Sequence, residues 1–293
     1  MKVEASRVLF TGAGGGIGDA AVRMLVKAGA SVMLVGRSPA RLSAQARALV
    51  RDCGVQRQCV EWYAADLARI PSLSGIAEVA TGWGCNVLVH NAGVPGFGRI
   101  ESLDANEMAQ VLHLNLFVPM LLTQALLPHL RGLPQAQIIF VGSVLGRLGL
   151  PGFSVYSASK FGLRGFAESL RRELGDTDVR VQYLGPRSTR TGFNSGAVEG
   201  YNKATGTAMD APDVAARALL RMLESGKAEC FFGFPEKLAV RLNGLAPTLL
   251  DGAFAKHRRS LPPVARPAKL ALDCGDEREG PATDSHSLMN HTL

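Results

Sequence analysis

Tyr156 and Lys160 stand four residues apart in the segment Tyr156-Ser157-Ala158-Ser159-Lys160, and Ser143 precedes the tyrosine by thirteen residues. On a helix this spacing puts the two side chains on one face, within reach of a shared ligand. A phenol titrates near pH ~10, and a fixed ammonium beside it favours the phenolate and draws that value toward neutrality. The pair can then pass a proton to or from a hydroxyl or carbonyl oxygen. A tyrosine and lysine so spaced also occur as a partly buried ring beside a solvated amine, so the meaning depends on the rest of the chain.

A second chemical feature lies near the amino terminus. Thr11-Gly12-Ala13-Gly14-Gly15-Gly16-Ile17-Gly18 follows the apolar run Val8-Leu9-Phe10 and opens an amphipathic stretch. Backbone amides and the helix dipole at such a junction receive a phosphate. The glycines let the chain turn sharply and let a ligand approach without a Cβ in the way. No Gly-Lys-Ser/Thr follows, which disfavours a P-loop nucleotide hydrolase. After the second apolar run stands Gly36-Arg37-Ser38, where an NAD-binding sheet would carry an Asp or Glu for the ribose 2′-hydroxyl. A guanidinium in that place suits a 2′-phosphate, so NADP(H) is expected over NAD(H).

The elements that must hold these residues are legible as alternating short apolar runs and amphipathic segments. The runs are Val8 to Phe10, Ser31 to Val35, Gln58 to Tyr63, Asn86 to Val89, Gln137 to Val141, Val179 to Leu184 and Glu229 to Phe232. Helices are predicted at about 17 to 28, 39 to 52, 69 to 81, 104 to 131, 155 to 175 and 212 to 225. Continuous apolar runs between amphipathic helices predict an α/β fold, a single Rossmann-type doubly wound sheet of about seven parallel strands. Residues 1–234 form that domain, and 192–209, rich in Gly, Asn, Ser and Thr, has the composition of a mobile lid. A C-terminal helical extension follows at 235–261, with Leu238, Leu242, Leu245, Leu249 and Phe254 on one side. It is expected to pack on the body or a second subunit, with a membrane surface contacted through 235–259 as the other option. Residues 262–293 have little periodicity and are expected to be a disordered tail.

Composition excludes several classes. The 293 residues are 47% hydrophobic and 19% charged, with a net charge of +7, as in an ordinary globular protein. No basic run with interleaved aromatics tracks a nucleic-acid strand. Five cysteines form no Cys-x-x-Cys pair and no metal-ligand spacing, and the odd count argues against a disulfide framework. The first apolar run leads directly into the glycine turn, so no signal peptide is expected and the cytoplasm is the expected compartment.

Together these motifs resemble the short-chain dehydrogenase/reductase family over roughly residues 6 to 233. The carriers of the resemblance are the glycine turn at 11–18, Asn91-Ala92-Gly93 after the fourth strand, Asn115, Ser143, and the Tyr156–Lys160 pair, in the family's order. The resemblance implies that Tyr156 exchanges the proton with the substrate oxygen while a nicotinamide exchanges the hydride. It implies that Lys160 binds the nicotinamide ribose and lowers the Tyr156 pKa, and that Ser143 polarises the carbonyl. Asn115 would hold a water linking Lys160 to solvent, or satisfy a neighbouring backbone group as a helix asparagine. Thr11, Gly12, Gly14, Gly16, Ile17, Gly18, Arg37, Asn91, Ala92 and Gly93 would contact the cofactor. Asp66 would accept from the adenine amino group or cap the next helix. Pro186, Thr189 and Thr191 would meet the nicotinamide, although Arg187 stands where the family has glycine. Arg187 is expected at an anionic ligand or on the surface, and His90, in place of an asparagine, as a packed strand-end residue.

The activity so implied is an NADP(H)-dependent interconversion of a carbonyl and an alcohol. Leu145, Leu148, Leu150 and Phe153 point to an apolar substrate or acyl chain, or to ordinary loop packing. Helices 104–131 and 155–175 resemble subunit-contact helices, so a homodimer or homotetramer is expected. The rival readings are an inactive dinucleotide-sensing scaffold and an epimerase or dehydratase using the same Tyr-Lys pair.

Overall fold

The computed structural model describes residues 1–233 and 236–264, so most of the tail expected at 262–293 lies outside the described residues. The seven apolar runs become β1 (Arg7–Thr11), β2 (Ser31–Gly36), β3 (Val60–Ala64), β4 (Val87–His90), β5 (Ala136–Val141), β6 (Val179–Gly185) and β7 (Glu229–Phe231). All pair in parallel, in the order β3-β2-β1-β4-β5-β6-β7. The order reverses between β1 and β4, and the crevice at the carboxyl ends of those two strands is where such sheets bind ligands.

Alternate strand residues feed two apolar layers. Val8, Phe10, Val32 and Leu34 face α1 (Gly16–Lys27), α2 (Pro39–Cys53) and, through Leu219 and Leu223, the later helix Pro212–Ser225. Leu9, Met33, Leu88, Ile138 and Phe140 face α3 (Ile70–Trp83) and two further helices of the opposite side. Helix ends carry the expected signals: Ser38 caps α2 by accepting from the Arg41 N–H, and Gly54 ends it in the left-handed region at φ 65°.

The stretch expected as one helix at 104–131 is instead α4 (Ala105–Leu112), a π-helical turn at His113–Phe117 and α5 (Val118–Arg131). A π turn fits an extra residue into the helix, and here it contains Asn115, which is 1% exposed. The next helix, α6 (Ser154–Glu173), brings its first turns against this segment. The 192–209 stretch is more ordered than its composition predicts, since it holds α7 (Gly196–Thr205) ahead of α8 (Pro212–Ser225). Ser195 accepts from the Val198 N–H at its start, and Gly206 closes it at φ 75°.

The extension consists of α9 (Glu236–Leu245), a 3-10 segment (Pro247–Phe254) and α10 (Ala255–Arg259). Of its expected apolar side, Phe254 packs on the body and Leu242 and Leu245 do not, while the Leu238 and Leu249 side chains lie outside the described residues. Val240 is buried against Val144, Leu145 and Leu148, while Leu242 and Leu245 are exposed. Leu250 and Phe254 join the same cluster, so the extension packs on the body just after β5.

Candidate active site

Thr11 ends β1 at the switch point and ties it to β4. Its hydroxyl donates to the Val89 carbonyl at 3.1 Å and accepts from the Asn91 and Ala92 N–H groups at 3.0 and 3.2 Å. Asn91 answers with its amide nitrogen, donating to the Thr11 and Gly12 carbonyls. Two residues expected to touch a cofactor thus hold the turn in shape. Gly12 has φ 66°, and a Cβ there would stand 2.8 Å from the Ala92 Cα. A Cβ at Gly16 would run into the Thr191 side chain, and one at Gly18 into the Gly12 carbonyl. The turn is therefore a tight backbone cradle at the start of α1, fit to receive a dinucleotide phosphate. Gln45, unmarked by any motif, props it from α2 by donating to the Ala13 carbonyl at 2.9 Å and to Asp19 at 3.0 Å. Gly14 lies beside Gln45, and Ile17 is the second residue of α1.

The adenosine side lies at the ends of β2 and β3, joined where the Ala65 N–H donates to the Gly36 carbonyl. Arg37 is exposed there and makes no ion pair among the described residues. Asp66 is exposed as well, and its carboxylate accepts from the Ala68 N–H at 3.1 Å.

Tyr156 and Lys160 share the first turns of α6, with the Lys160 Nζ 5.6 Å from the centre of the tyrosine ring. Nζ also approaches the Val141 carbonyl at 3.4 Å, and a Cβ on Gly93 would lie 3.8 Å from it. Ser143 follows β5 and accepts the Leu145 N–H at 3.1 Å, while its side chain lies near enough to Tyr156 to act on the phenol. The expected lowering of the Tyr156 pKa is corrected by the structure. Burial of the hydroxyl raises it, against the smaller lowering effect of the Ser143 hydrogen bond. Burial also draws Lys160 down, to about 8. The ammonium lies over the ring, and desolvation of the phenol dominates its titration.

Asn115 acts through the backbone. Its Oδ1 accepts from the Val94 N–H at 2.8 Å and its Nδ2 donates to the Val94 carbonyl at 2.9 Å and to Ser159 Oγ at 3.3 Å. Ser159 in turn donates to the Tyr156 carbonyl at 2.7 Å. The asparagine therefore locks the loop after Gly93 to the turn of α6 that carries both reactive side chains.

Pro186 accepts the Val144 N–H at 2.9 Å through its carbonyl, which fixes the turn after β6 to the Ser143 loop. Thr189 donates to the Arg187 carbonyl and accepts from Asn194, and Thr191 reaches the glycine turn. Arg187 is partly buried and not free on the surface. Its guanidinium grips Asp210 with two bonds of 2.8 and 2.7 Å, and Asp210 is 12% exposed. This pair clamps the two ends of the 188–210 loop, where Asp210 also exchanges backbone hydrogen bonds with Ser188 and Arg190. His90 is packed as expected, stacked on Phe140 and bonded to Thr123 at 2.9 Å, and burial draws its pKa down to about 3.

Sequence reasoning missed Tyr183, a fully buried strand residue whose hydroxyl bonds to the Ser143 backbone. Its only signal is two glycines, Gly142 and Gly146, about forty residues upstream.

This geometry coincides with a family match described as short chain dehydrogenase, covering residues 6–202. The chain belongs to the short-chain dehydrogenase family. It is 31% identical over 264 residues to dehydrogenase/reductase SDR family member 7B of Bos taurus, covering 86% of this chain and 81% of that one. The counterpart from Rattus norvegicus is 29% identical, with the same coverage. Among solved structures, a short-chain dehydrogenase from Streptomyces avermitilis superposes with a TM-score of 0.72 at 26% identity, covering 86% of this chain and 97% of the other. One from Sphingobium yanoikuyae in complex with NADPH gives 0.71 at 25% identity, covering 85% and 96%. This short-chain dehydrogenase is accordingly an NAD(P)-dependent oxidoreductase.

Proposed function

We propose that the protein interconverts a carbonyl and an alcohol with NADP(H), using Tyr156 as the proton donor and acceptor. The observation that carries this reading is Tyr156 buried on the first turns of α6 with Lys160 over its ring and Ser143 close enough to act on its hydroxyl, across the switch point from the glycine cradle. When bound, the nicotinamide supplies or removes the hydride. Tyr156, which burial keeps in its protonated form, presents the phenol proton to a developing alkoxide. Ser143 offers its hydroxyl to the same oxygen, already oriented by the Leu145 N–H. Lys160 would hold the nicotinamide ribose, Asn115 would hold the Lys160 turn in place, and Thr191 and Pro186 would close over the nicotinamide.

Arg37 supports NADP(H), as a solvent-facing guanidinium where an NAD-specific site would have a carboxylate. The Sphingobium relative in complex with NADPH points the same way. An apolar substrate is supported by the rings around Tyr156. Phe153 and Phe193 meet it edge-on at centroid distances of 6.4 and 6.1 Å, and Phe97 and Tyr201 pack behind Phe153. Leu145 and Leu148 belong to the cluster under the extension, against which Leu150, Phe153 and Tyr156 also pack. The reading also includes a homodimer or homotetramer formed through α4, α5 and α6.

The test is a panel of ketones and aldehydes followed by loss of NADPH absorbance, with NADH in parallel. Turnover should appear with NADPH, and Tyr156→Phe should reduce it by about a hundredfold or more while NADPH binding stays within about twofold. Wild-type turnover by that variant would sink the mechanism.

A further inference from the structure

We propose that Tyr183 is a positioning residue for Ser143, its buried hydroxyl clasping both main-chain polar groups of the serine and so fixing where the Ser143 hydroxyl meets Tyr156. The Ser143 N–H donates to Tyr183 Oη at 3.1 Å, and Oη donates back to the Ser143 carbonyl at 3.0 Å. The Lys160 carbonyl lies 3.5 Å from the same oxygen. One proton given and one accepted fill the ordinary capacity of a phenol in this place.

The need for the clasp follows from the strand ladder. Gly142 donates to the Leu184 carbonyl and Val144 to the Pro186 carbonyl, so the pairing with β6 continues on either side of Ser143. The Ser143 carbonyl also accepts the Gly146 N–H at 3.0 Å, whereas the Ser143 N–H has no ladder partner, since β4 pairs with β5 only as far as His90 and Phe140. Tyr183 supplies the partner that a longer β4 would have supplied. The tyrosine has room because Gly142 and Gly146 carry no side chain; a Cβ on either would run into its ring or hydroxyl. Those two glycines also leave the loop around Ser143 with little stiffness of its own. The Ser143 hydroxyl takes its direction from this main chain, because its hydrogen bond among the described residues is with the Leu145 N–H two residues on.

Tyr183→Phe keeps the ring and removes only the clasp. Hydrogen exchange should become at least about tenfold faster at the Ser143 amide, with the β5 amides from Ile138 to Val141 unchanged. Unchanged exchange at Ser143 would overturn the proposal. The kinetic arm rests on the reductase reading. Turnover per NADPH-binding site should fall by about tenfold to a hundredfold, with NADPH affinity unaltered. In a Ser143→Ala background the same change should cost nothing further, because Tyr183 acts through the serine. An equal loss with and without the Ser143 hydroxyl would mark Tyr183 as merely structural and defeat the idea. Should the wild-type protein reduce no carbonyl compound, the reductase reading fails and the exchange measurement still decides the role of Tyr183.

Discussion

Lys160 is 5% exposed, and its ammonium, which ordinarily titrates near 10.5, is drawn down to about 8 by burial. Below pH 8 both the folded and the unfolded chain hold this proton, and the folded chain carries the cost of a buried charge. Between about 8 and 10.5 the unfolded chain keeps a proton that the folded chain has released, so Lys160 makes stability rise with pH across that window. Cys85, pushed up to about 11 by burial, acts in the opposite sense, as do the buried tyrosines at higher pH. Comparing the wild type with Lys160→Met isolates the lysine. Denaturant unfolding at pH 7 and pH 10 should show the wild type gaining on the variant by on the order of 2 to 3 kcal/mol at the higher pH. A stability difference that does not move with pH would show that the lysine is hydrated in the folded protein.

Elements decide which of these side chains meet, and two of them frame the substrate side of the site. Tyr201 on α7 donates to the Pro151 carbonyl at 3.0 Å, so the His257 Nδ1, 2.8 Å away, must be the donor toward the tyrosine oxygen. That bond joins α7 to α10, and Lys256 adds another to the Thr205 carbonyl. Farther along, the Pro262 carbonyl accepts from Arg99, and Leu261 lies where a Cβ on Gly152 would reach it. The extension is therefore a strap over the aromatic wall beside Tyr156. Tyr201→Phe should raise the KM for a bulky apolar ketone by about two- to tenfold and leave that of a small aldehyde and of NADPH unchanged. Equal effects on large and small substrates in steady-state assays would deny the strap a part in selection. The seven strands and the helices α1, α2, α3, α6 and α8 are legible because β1, β2, β4, β5 and β6 are continuous apolar runs and caps such as Ser38 and Gly54 mark helix ends. The π turn at Asn115 escaped because its extra residue breaks no sequence rule. Helix α7 escaped because two glycines hide its pattern, though Ser195 and Gly206 stand at its ends as a cap pair. The side chains expected at 156, 160 and 143 do converge, whereas Tyr183 depends on glycines far away in sequence, and no local pattern links them.

At the scale of the whole molecule, the segment Ala105–Arg131 is apolar beyond what one buried face requires. By length and composition alone, an 18-residue stretch of it with a mean hydropathy of 1.5 could cross a membrane. Val111, Val118, Leu122, Leu126 and Leu130 account for part of that character, since they are buried in the protein. The remainder is on the outside: Leu112 and Phe117 are about two-fifths exposed, as is Phe161 on the adjoining α6. The two segments pack closely, for a Cβ on Gly162 would touch Leu116. Farther along α5, a surface hollow of about 400 Å³ is lined by Gln124, Leu127, Pro128 and Arg131, away from the Tyr156 site. An apolar surface shared by two helices and continued by a hollow suits a second copy of the same chain better than water. Sedimentation at micromolar concentration should accordingly find a dimer or tetramer, and charges placed at Leu112→Glu and Phe161→Glu should shift it to monomer. A like charge meeting its symmetry mate in an apolar interface costs several kcal/mol for each contact, enough to change a micromolar equilibrium by orders of magnitude. A wild-type protein that sediments as a monomer would leave the exposed rings without a partner and refute the assembly.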